Sequence, residues 1–399
     1  MAALHLLQLY SHDCPLLPNL VSLDWASDEK RLPFISMFIS PSLTSIDISM
    51  PRKANPMLPP IFNKLSTLSP DIKKIETDQL FHDPSMEEAS SQLLMQCNHL
   101  RTFKVDSPIS TSALRHSIQL PSLEEFCLVV SSFQLPDPLP IVVFPSLRQL
   151  VVKGNGDPTW LKLLPAIENP VLAIITVQCT GLDVERFMET FQLTVIGCGI
   201  HECLREFTVN SPDNFKITPR IMACNLSCKN LTSLKLVSDC SNLCQTSDLT
   251  DDDIDLFTKG MPCLEYLAVG GVPCNVPSQI TFKSLYTISR RCTRLRDLEI
   301  HFNPALFVTK VGMDSESWHV ALGLSDFKTL SSDLCSITTI SVGDIPLPAQ
   351  SNASCVMALG LLGVFPCLEF VFYDNNDWRN VQDLIGVCRR MGPFAFGKG

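Results

Sequence analysis

An α/β solenoid, in which each turn supplies one parallel strand and one helix, is the fold class that this sequence predicts. Three observations predict it. A short phrase recurs thirteen times along the 399 residues: Leu or Ile, two variable residues, an apolar residue, one variable residue, then usually another apolar residue. Successive phrases begin 23 to 42 residues apart and 29 on average, the period at which a leucine-rich repeat fits a strand and a helix into one turn. Pro, Ser or Cys stands just before most of the phrases, as at Pro41-Ser42, Pro121-Ser122, Pro145-Ser146, Pro262-Cys263 and Pro366-Cys367, where it closes one element and fixes the turn into the next. The expected architecture is a leucine-rich-repeat horseshoe with the parallel sheet on the concave face and helices on the convex face.

The phrases begin at Leu20, Leu43, Ile72, Leu100, Leu123, Leu147, Leu172, Leu204, Leu231, Leu264, Leu295, Ile337 and Leu368. The apolar fourth and sixth residues share a strand face, because strand side chains alternate with period two. With the anchor they put three side chains per repeat into a core that no repeat could bury alone. Between phrases the pattern turns helical. In Thr250-Asp251-Asp252-Asp253-Ile254-Asp255-Leu256-Phe257-Thr258-Lys259-Gly260, Thr250 reads as an N-cap, the Asp run complements the positive end of the helix dipole, and Gly260 reads as a C-terminal stop. The acidic run lacks the alternating ligands of a calcium loop. A helix around Trp318 to Leu324 with loops is expected in the longest interval, a degenerate repeat being the alternative, and Gly154-Asn155-Gly156-Asp157-Pro158 is a turn by composition.

A repeat that runs from Leu20 to Leu368 predicts one domain over residues 1–399, with 45 % hydrophobic against 18 % charged residues favouring a continuous core over disorder. A net charge of -10 without a basic cluster argues against nucleic-acid partners, since phosphate binding needs cationic surface. The N-terminus has no basic stretch of the kind a secretory signal carries, and the apolar run Ala353 to Tyr373 is interrupted by Pro366 and Glu369. No membrane partner and an intracellular location are expected. Seventeen cysteines then read as reduced thiols serving as small hydrophobes, and the sequons at Asn225, Asn230 and Asn352 carry no glycan.

Cys224, Cys228, Cys240 and Cys244 form two Cys-x-x-x-Cys pairs, a spacing that zinc tolerates. The repeat register explains Cys228 without a metal, because Cys97 and Cys292 hold the same place three residues before an anchor. No nucleotide-binding, metalloprotease or nucleophile-elbow motif is present, so no catalytic residue, cofactor or metal is predicted. What remains is a surface. The third and fifth residues of each phrase, and the residue after it, project away from the core. In the middle repeats these are Glu125, Cys127, Val129, Gln149, Val151, Lys153, Ile174 and Thr176, the candidate partner-binding residues. Cys127, Val151 and Ile174 are expected side by side as an apolar centre, with Glu125, Gln149 and Lys153 as a polar rim. A covering loop, such as Ser131 to Pro140, is the alternative.

The series CPLLPNLVSLDW, SPSLTSIDIS, LPSLEEFCL, FPSLRQLVV, LTDDDIDLFTKGMPCLEYLAVGG, CTRLRDLEI and ITTISVGDIP resembles the leucine-rich-repeat region of the expanded F-box proteins of mushroom-forming fungi, from Leu4 to Phe372. The resemblance implies a receptor whose repeats capture a protein, while an F-box docks on the adaptor of a cullin-RING ubiquitin ligase. Only nineteen residues precede Leu20 and no LPxEIL-like opening follows Met1, so no F-box is detected. A ubiquitin-ligase adaptor is an expected partner only where an F-box is restored upstream. The alternative is a free interaction scaffold.

Overall fold

The computed structural model describes residues 15–26, 30–49, 58–77, 84–130, 144–167, 171–213, 215–238, 244–246, 248–270, 278–303, 336–343, 347, 353–365, 367–373 and 378–391. The chain clusters into two compact units, Met1–Cys179 with Gly197–Ile200 and Thr180–Ile196 with His201–Gly399. Both are α/β leucine-rich-repeat arrays, and each predicted phrase becomes a strand whose first residue is the second after the anchor.

In the first unit the strands are β1 (Ser22–Ala26), β2 (Ser45–Ser49), β3 (Lys74–Thr77), β4 (Thr102–Lys104), β5 (Glu125–Val130), β6 (Gln149–Gly154) and β7 (Ile174–Cys179). Each pairs in parallel with the next, without a register slip. In the second unit β8 (Glu206–Ser211), β9 (Ser233–Ser238), β10 (Tyr266–Val269), β11 (Asp297–Ile300), β12 (Thr339–Gly343) and β13 (Phe370–Tyr373) do the same. One irregularity falls between Ser341 and Gly343 in β12. A short pair, Phe215–Lys216 with Cys244–Gln245, lies outside these runs.

The register is locked by a bond pattern repeated from strand to strand. The carbonyl of the residue after an anchor accepts the two amides that open the next repeat's strand: Val21 O takes Thr44 N and Ser45 N at 2.8 and 3.2 Å, and Thr232 O takes Glu265 N and Tyr266 N at 2.7 and 3.0 Å. Anchor amides close a tight turn on the carbonyl three residues back, as Leu43 does on Ser40 at 3.1 Å and Leu295 on Cys292 at 2.9 Å. Small polar residues at that turn tie one repeat to the one before it. Ser69 Oγ donates to Ser40 O at 2.7 Å, Ser122 Oγ to Leu100 O at 3.0 Å and Ser336 Oγ to Leu295 O at 2.8 Å. The punctuation before each phrase is therefore also a staple between repeats.

Twelve of the thirteen anchors, from Leu43 to Leu368, are 0 % exposed. Leu20 is half-buried, because among the described residues β1 has a strand on one side only. Cys97, Cys228 and Cys292 are buried at the turn, and Cys292 Sγ donates to Met261 O at 3.7 Å. Burial pushes these thiols up to about 12, 11 and 12 respectively, so they stay protonated as apolar filling. Eleven cysteines among the described residues, from Cys97 to Cys388, are free thiols.

Helices α1 (Leu58–Leu68), α2 (Pro84–Gln96) and α3 (Thr111–Ser117) belong to the first unit, and α4 (Val184–Gly197) follows β7. The second unit adds α5 (Pro219–Cys224), α6 (Asp251–Gly260), α7 (Phe282–Arg291), α8 (Ala353–Val364) and α9 (Arg379–Met391). Thr250 caps α6 in a capping box with Asp253. The acidic run also reaches the next repeat. Asp251 accepts Thr281 N and Thr281 Oγ1 at 2.8 and 2.6 Å, and Asp255 pairs with Arg291 at 2.6 Å. Gly260 differs from the expectation: it is the last helical residue, Met261 is the C-cap at φ -123, and a Cβ on Gly260 would come within 2.6 Å of Leu226. Its smallness serves packing, not a left-handed stop.

Gly154 does require its conformation, with φ +131 and Val130 O only 2.0 Å from where a Cβ would stand. The turn then passes to Asp157, which accepts Thr159 N at 2.9 Å and caps the 3-10 segment Pro158–Ala166. The apolar run from Ala353 divides into α8 and β13, and no helix among the described residues is long and apolar enough to cross a membrane. In the second unit Gln382 of α9 accepts Val371 N at 2.7 Å and donates to Glu369 O at 3.1 Å. The expected helix at Trp318 to Leu324, the loop Ser131 to Pro140, Cys240 and Asn352 lie outside the described residues.

Candidate functional site

The third residue of each phrase opens its strand, so the register sets these residues in a row across the first unit: Ser22, Ser45, Lys74, Thr102, Glu125, Gln149 and Ile174. A second row holds Asp24, Asp47, Glu76 and Lys104 on β1 to β4, and Cys127, Val151 and Thr176 on β5 to β7. Because alternation sends the intervening residues into the core, both rows look away from it. Beyond the second row stand Val129, Lys153 and Gln178 in register.

Part of this face, from Asp47 on β2 to Thr176 and Gln178 on β7, lines a groove of about 450 Å3, with Glu76, Lys104, Asp106 and Val151 between them. Its polar side is a chain of ion pairs. Lys74 Nζ lies 2.6 Å from Glu76 and 3.9 Å from Asp47. Lys104 Nζ bridges Glu76 at 3.2 Å and Glu125 at 2.5 Å. Lys153 Nζ lies 2.5 Å from Asp106 Oδ2, whose other oxygen accepts the Cys127 thiol at 3.5 Å.

The carboxylates answer these surroundings differently. For Glu76, partial burial pushes the carboxyl up, but the hydrogen bonds of Lys74 and Lys104 outweigh it and hold it below the usual range. Asp47 is held above that range by burial first and then by its hydrogen bond with Glu76, with Lys74 only partly compensating. Lys74 is raised, chiefly by its hydrogen bond to Glu76. Burial also carries the Cys127 thiol far up, and the Asp106 carboxylate adds to it. A buried thiol held protonated in this way is a poor nucleophile, and Asp106 links it to Lys153 of the neighbouring strand.

Two expectations for this face are corrected. Cys127 and Val129 are 2 % and 1 % exposed, so neither offers apolar surface. The Asp106–Lys153 pair closes on Cys127, and Val129 has Lys153 as its neighbour across the ladder. Ile174 is not aligned with Cys127 and Val151 either. It pairs with Gln149, while Thr176 stands beside Val151, because Ile174 is the third residue of its phrase and Val151 the fifth. Val151, Ile174 and Thr176 are half-buried, as are Glu125, Gln149 and Lys153. All eight expected residues are brought onto neighbouring strands β5 to β7, and six of them keep solvent access.

Asp106 was missed among the expected residues, although it occupies the position after its phrase, where Val129 and Lys153 stand in theirs. The same rule finds a second missed pair. In the second unit Phe370 and Phe372, third and fifth residues of their phrase, are 55 % and 59 % exposed on β13. Their rings stack with centroids 6.5 Å apart. Further along that unit's face, Tyr266 is pushed up to about 12 by burial and then by Glu299 and Asp297.

Cys224 and Cys228 of the cysteine cluster are buried. No group of three or more His, Cys, Asp or Glu is set to hold a metal ion among the described residues.

No known family model matches the chain, and no curated protein matches it. Among solved structures, the yeast Rad7 and Elc1 complex is similar over 65 % of this chain and 71 % of that one, at 14 % identity and a TM-score of 0.40. An internalin (inlF) from Listeria monocytogenes is similar over 89 % and 86 %, at 13 % identity and 0.38. The mouse RP105/MD-1 complex is similar over 85 % and 58 %, at 10 % identity and 0.38.

Proposed function

We propose that the chain is a non-catalytic protein-recognition solenoid whose partner docks on the free sheet face of the first unit. One observation carries the reading: a groove of about 450 Å3 whose lining sets the ion-paired Glu76, Lys104, Asp106 and Lys153 with the half-buried Val151, while the half-buried Ile174 stands on the adjoining strand. A polar rim around a small apolar centre is how protein interfaces concentrate their binding energy. The resemblance of the repeats to those of F-box proteins supports a relation to the substrate receptors of cullin-RING ubiquitin ligases. A free scaffold without ubiquitin coupling is the second form of this reading.

The test combines partner capture with stability. Replacing Val151 by Glu and Ile174 by Lys is expected to weaken capture at least tenfold, about 1.4 kcal/mol, with little change in thermal unfolding. Equal losses of stability and capture would make these side chains structural. Intact capture in a stable double variant would move the site, with the exposed Phe370 and Phe372 pair as the next surface to replace. Co-purification of an adaptor and cullin with the full chain separates the ligase form from the scaffold form.

A further inference from the structure

The charges on the first unit's face do not balance. Five carboxylates, Asp24, Asp47, Glu76, Asp106 and Glu125, face three ammonium groups, Lys74, Lys104 and Lys153, which leaves two negative charges in excess. The lysines are already committed. Lys104 is shared by Glu76 and Glu125, Lys153 is held by Asp106, and Lys74 lies 2.6 Å from Glu76 against 3.9 Å from Asp47. The excess therefore falls at one place. Asp24 and Asp47 are register partners on β1 and β2, so their Cα atoms stand one strand spacing apart, about 4.8 Å. Asp24 is exposed and has no ion pair among the described residues. Like charges directly opposite each other repel, and a cation between them removes that repulsion.

Resting on the protein-recognition reading above, we infer that the groove's occupant is an extended peptide segment that seats an apolar side chain against Val151 and a lysine or arginine at the Asp47 end, where Asp24 stands beside the groove on the next strand. The spacing follows from the strands. From β2 to β6 there are four strand intervals, about 19 Å, and an extended chain covers about 3.4 Å per residue. The basic and apolar residues of the occupant thus lie about six residues apart. The raised carboxyl of Asp47, caused by burial and then by Glu76, agrees with a site that Lys74, 3.9 Å away and closer to Glu76, compensates only in part.

A random dodecapeptide display library panned on the full chain at low salt tests this. Selected peptides are synthesised with a fluorescent label and titrated by anisotropy against the wild type, the Asp24→Asn/Asp47→Asn variant and Val151→Glu, each checked for unchanged thermal unfolding. The expected peptides carry Lys or Arg about six residues from an apolar residue, lose at least tenfold in affinity on either variant, and weaken as salt is raised. Peptides without a basic residue, unaffected by the Asn pair yet weakened by Val151→Glu, overturn the inference and leave the groove as a docking site. Peptides weakened by the Asn pair alone overturn its apolar half. If no selected peptide responds to either variant, the inference and the docking face both fall.

Discussion

Lys153 and Asp106 come together from positions 47 residues apart, with Nζ to Oδ2 at 2.5 Å and side-chain exposures of 18 % and 5 %. At an effective dielectric of 20 the attraction over that distance is about 7 kcal/mol. Most of it offsets the cost of taking two ions out of water. The pair is therefore expected to contribute little net stability while each half depends strongly on the other. Asp106→Leu should cost about 3 kcal/mol, because it leaves an ammonium group largely desolvated, and it also removes the acceptor of the Cys127 thiol. Lys153→Met should cost a similar amount by stranding Asp106. Changing both, to Asp106→Leu with Lys153→Met, should recover stability to within about 1 kcal/mol of the wild type. Urea unfolding followed by circular dichroism gives the four corners of the cycle, and hydrogen exchange at the β5 and β6 amides localises the loss in an array that can open locally. Single variants that each lose under about 0.5 kcal/mol would show the pair to be an ordinary surface bridge. Cys127 would then owe its burial to something else.

Two further outcomes test the fold. The thiols of Cys97 and Cys292 stand at about 12 in the folded chain against an ordinary 9.0, so above pH 9 the unfolded state loses their protons while the folded state keeps them. Stability should fall as pH rises from about 9 towards 12, by about 1.4 kcal/mol per pH unit for each thiol, and Cys97→Val with Cys292→Val should flatten the decline; an identical slope in that variant would exclude the thiols as its cause. Gly154→Ala should destabilise by at least about 2 kcal/mol, through its φ of +131 and the 2.0 Å approach to Val130 O, whereas Gly197→Ala, where a Cβ meets nothing within 4 Å, should be neutral or stabilising. Similar thermal midpoints for the two alanine variants would contradict the close approach at Gly154.

Strand positions were legible because residue types carry them directly: an anchor, then alternation with period two. That rule locates β1 to β13, though not the short pair Phe215–Lys216 with Cys244–Gln245, and assigns Glu125, Gln149 and Lys153 to the free face. The failure at Cys127 has a different origin. Local pattern points its side chain outward, and it does lie on that side, but a carboxylate from β4's following turn and an ammonium group from β6 cover it. Burial by a long-range ion pair leaves no trace in a six-residue phrase. Ile174 was misaligned although the information was present, since counting from Leu172 puts it in the row of Gln149. Gly260 shows the converse, a glycine whose identity is set by Leu226 from another repeat and not by the helix end it occupies.

A parallel ladder in which every strand repeats the same bonds is also a template for one more strand, whether from the same molecule or another. Head-to-tail addition of that kind runs on into a fibre wherever its rotation does not close a ring. On β13 the carbonyl of Glu369 is the counterpart of Val21 and Thr232, the acceptor that elsewhere receives the next repeat's amides. There it receives the side-chain amide of Gln382, while the oxygen of the same side chain takes up Val371 N. One glutamine thus impersonates a peptide group of an incoming strand and occupies both a donor and an acceptor along that edge. Copy-to-copy polymerisation through β13 must first displace a bond pair already satisfied within the molecule, and both of those bonds belong to one side chain.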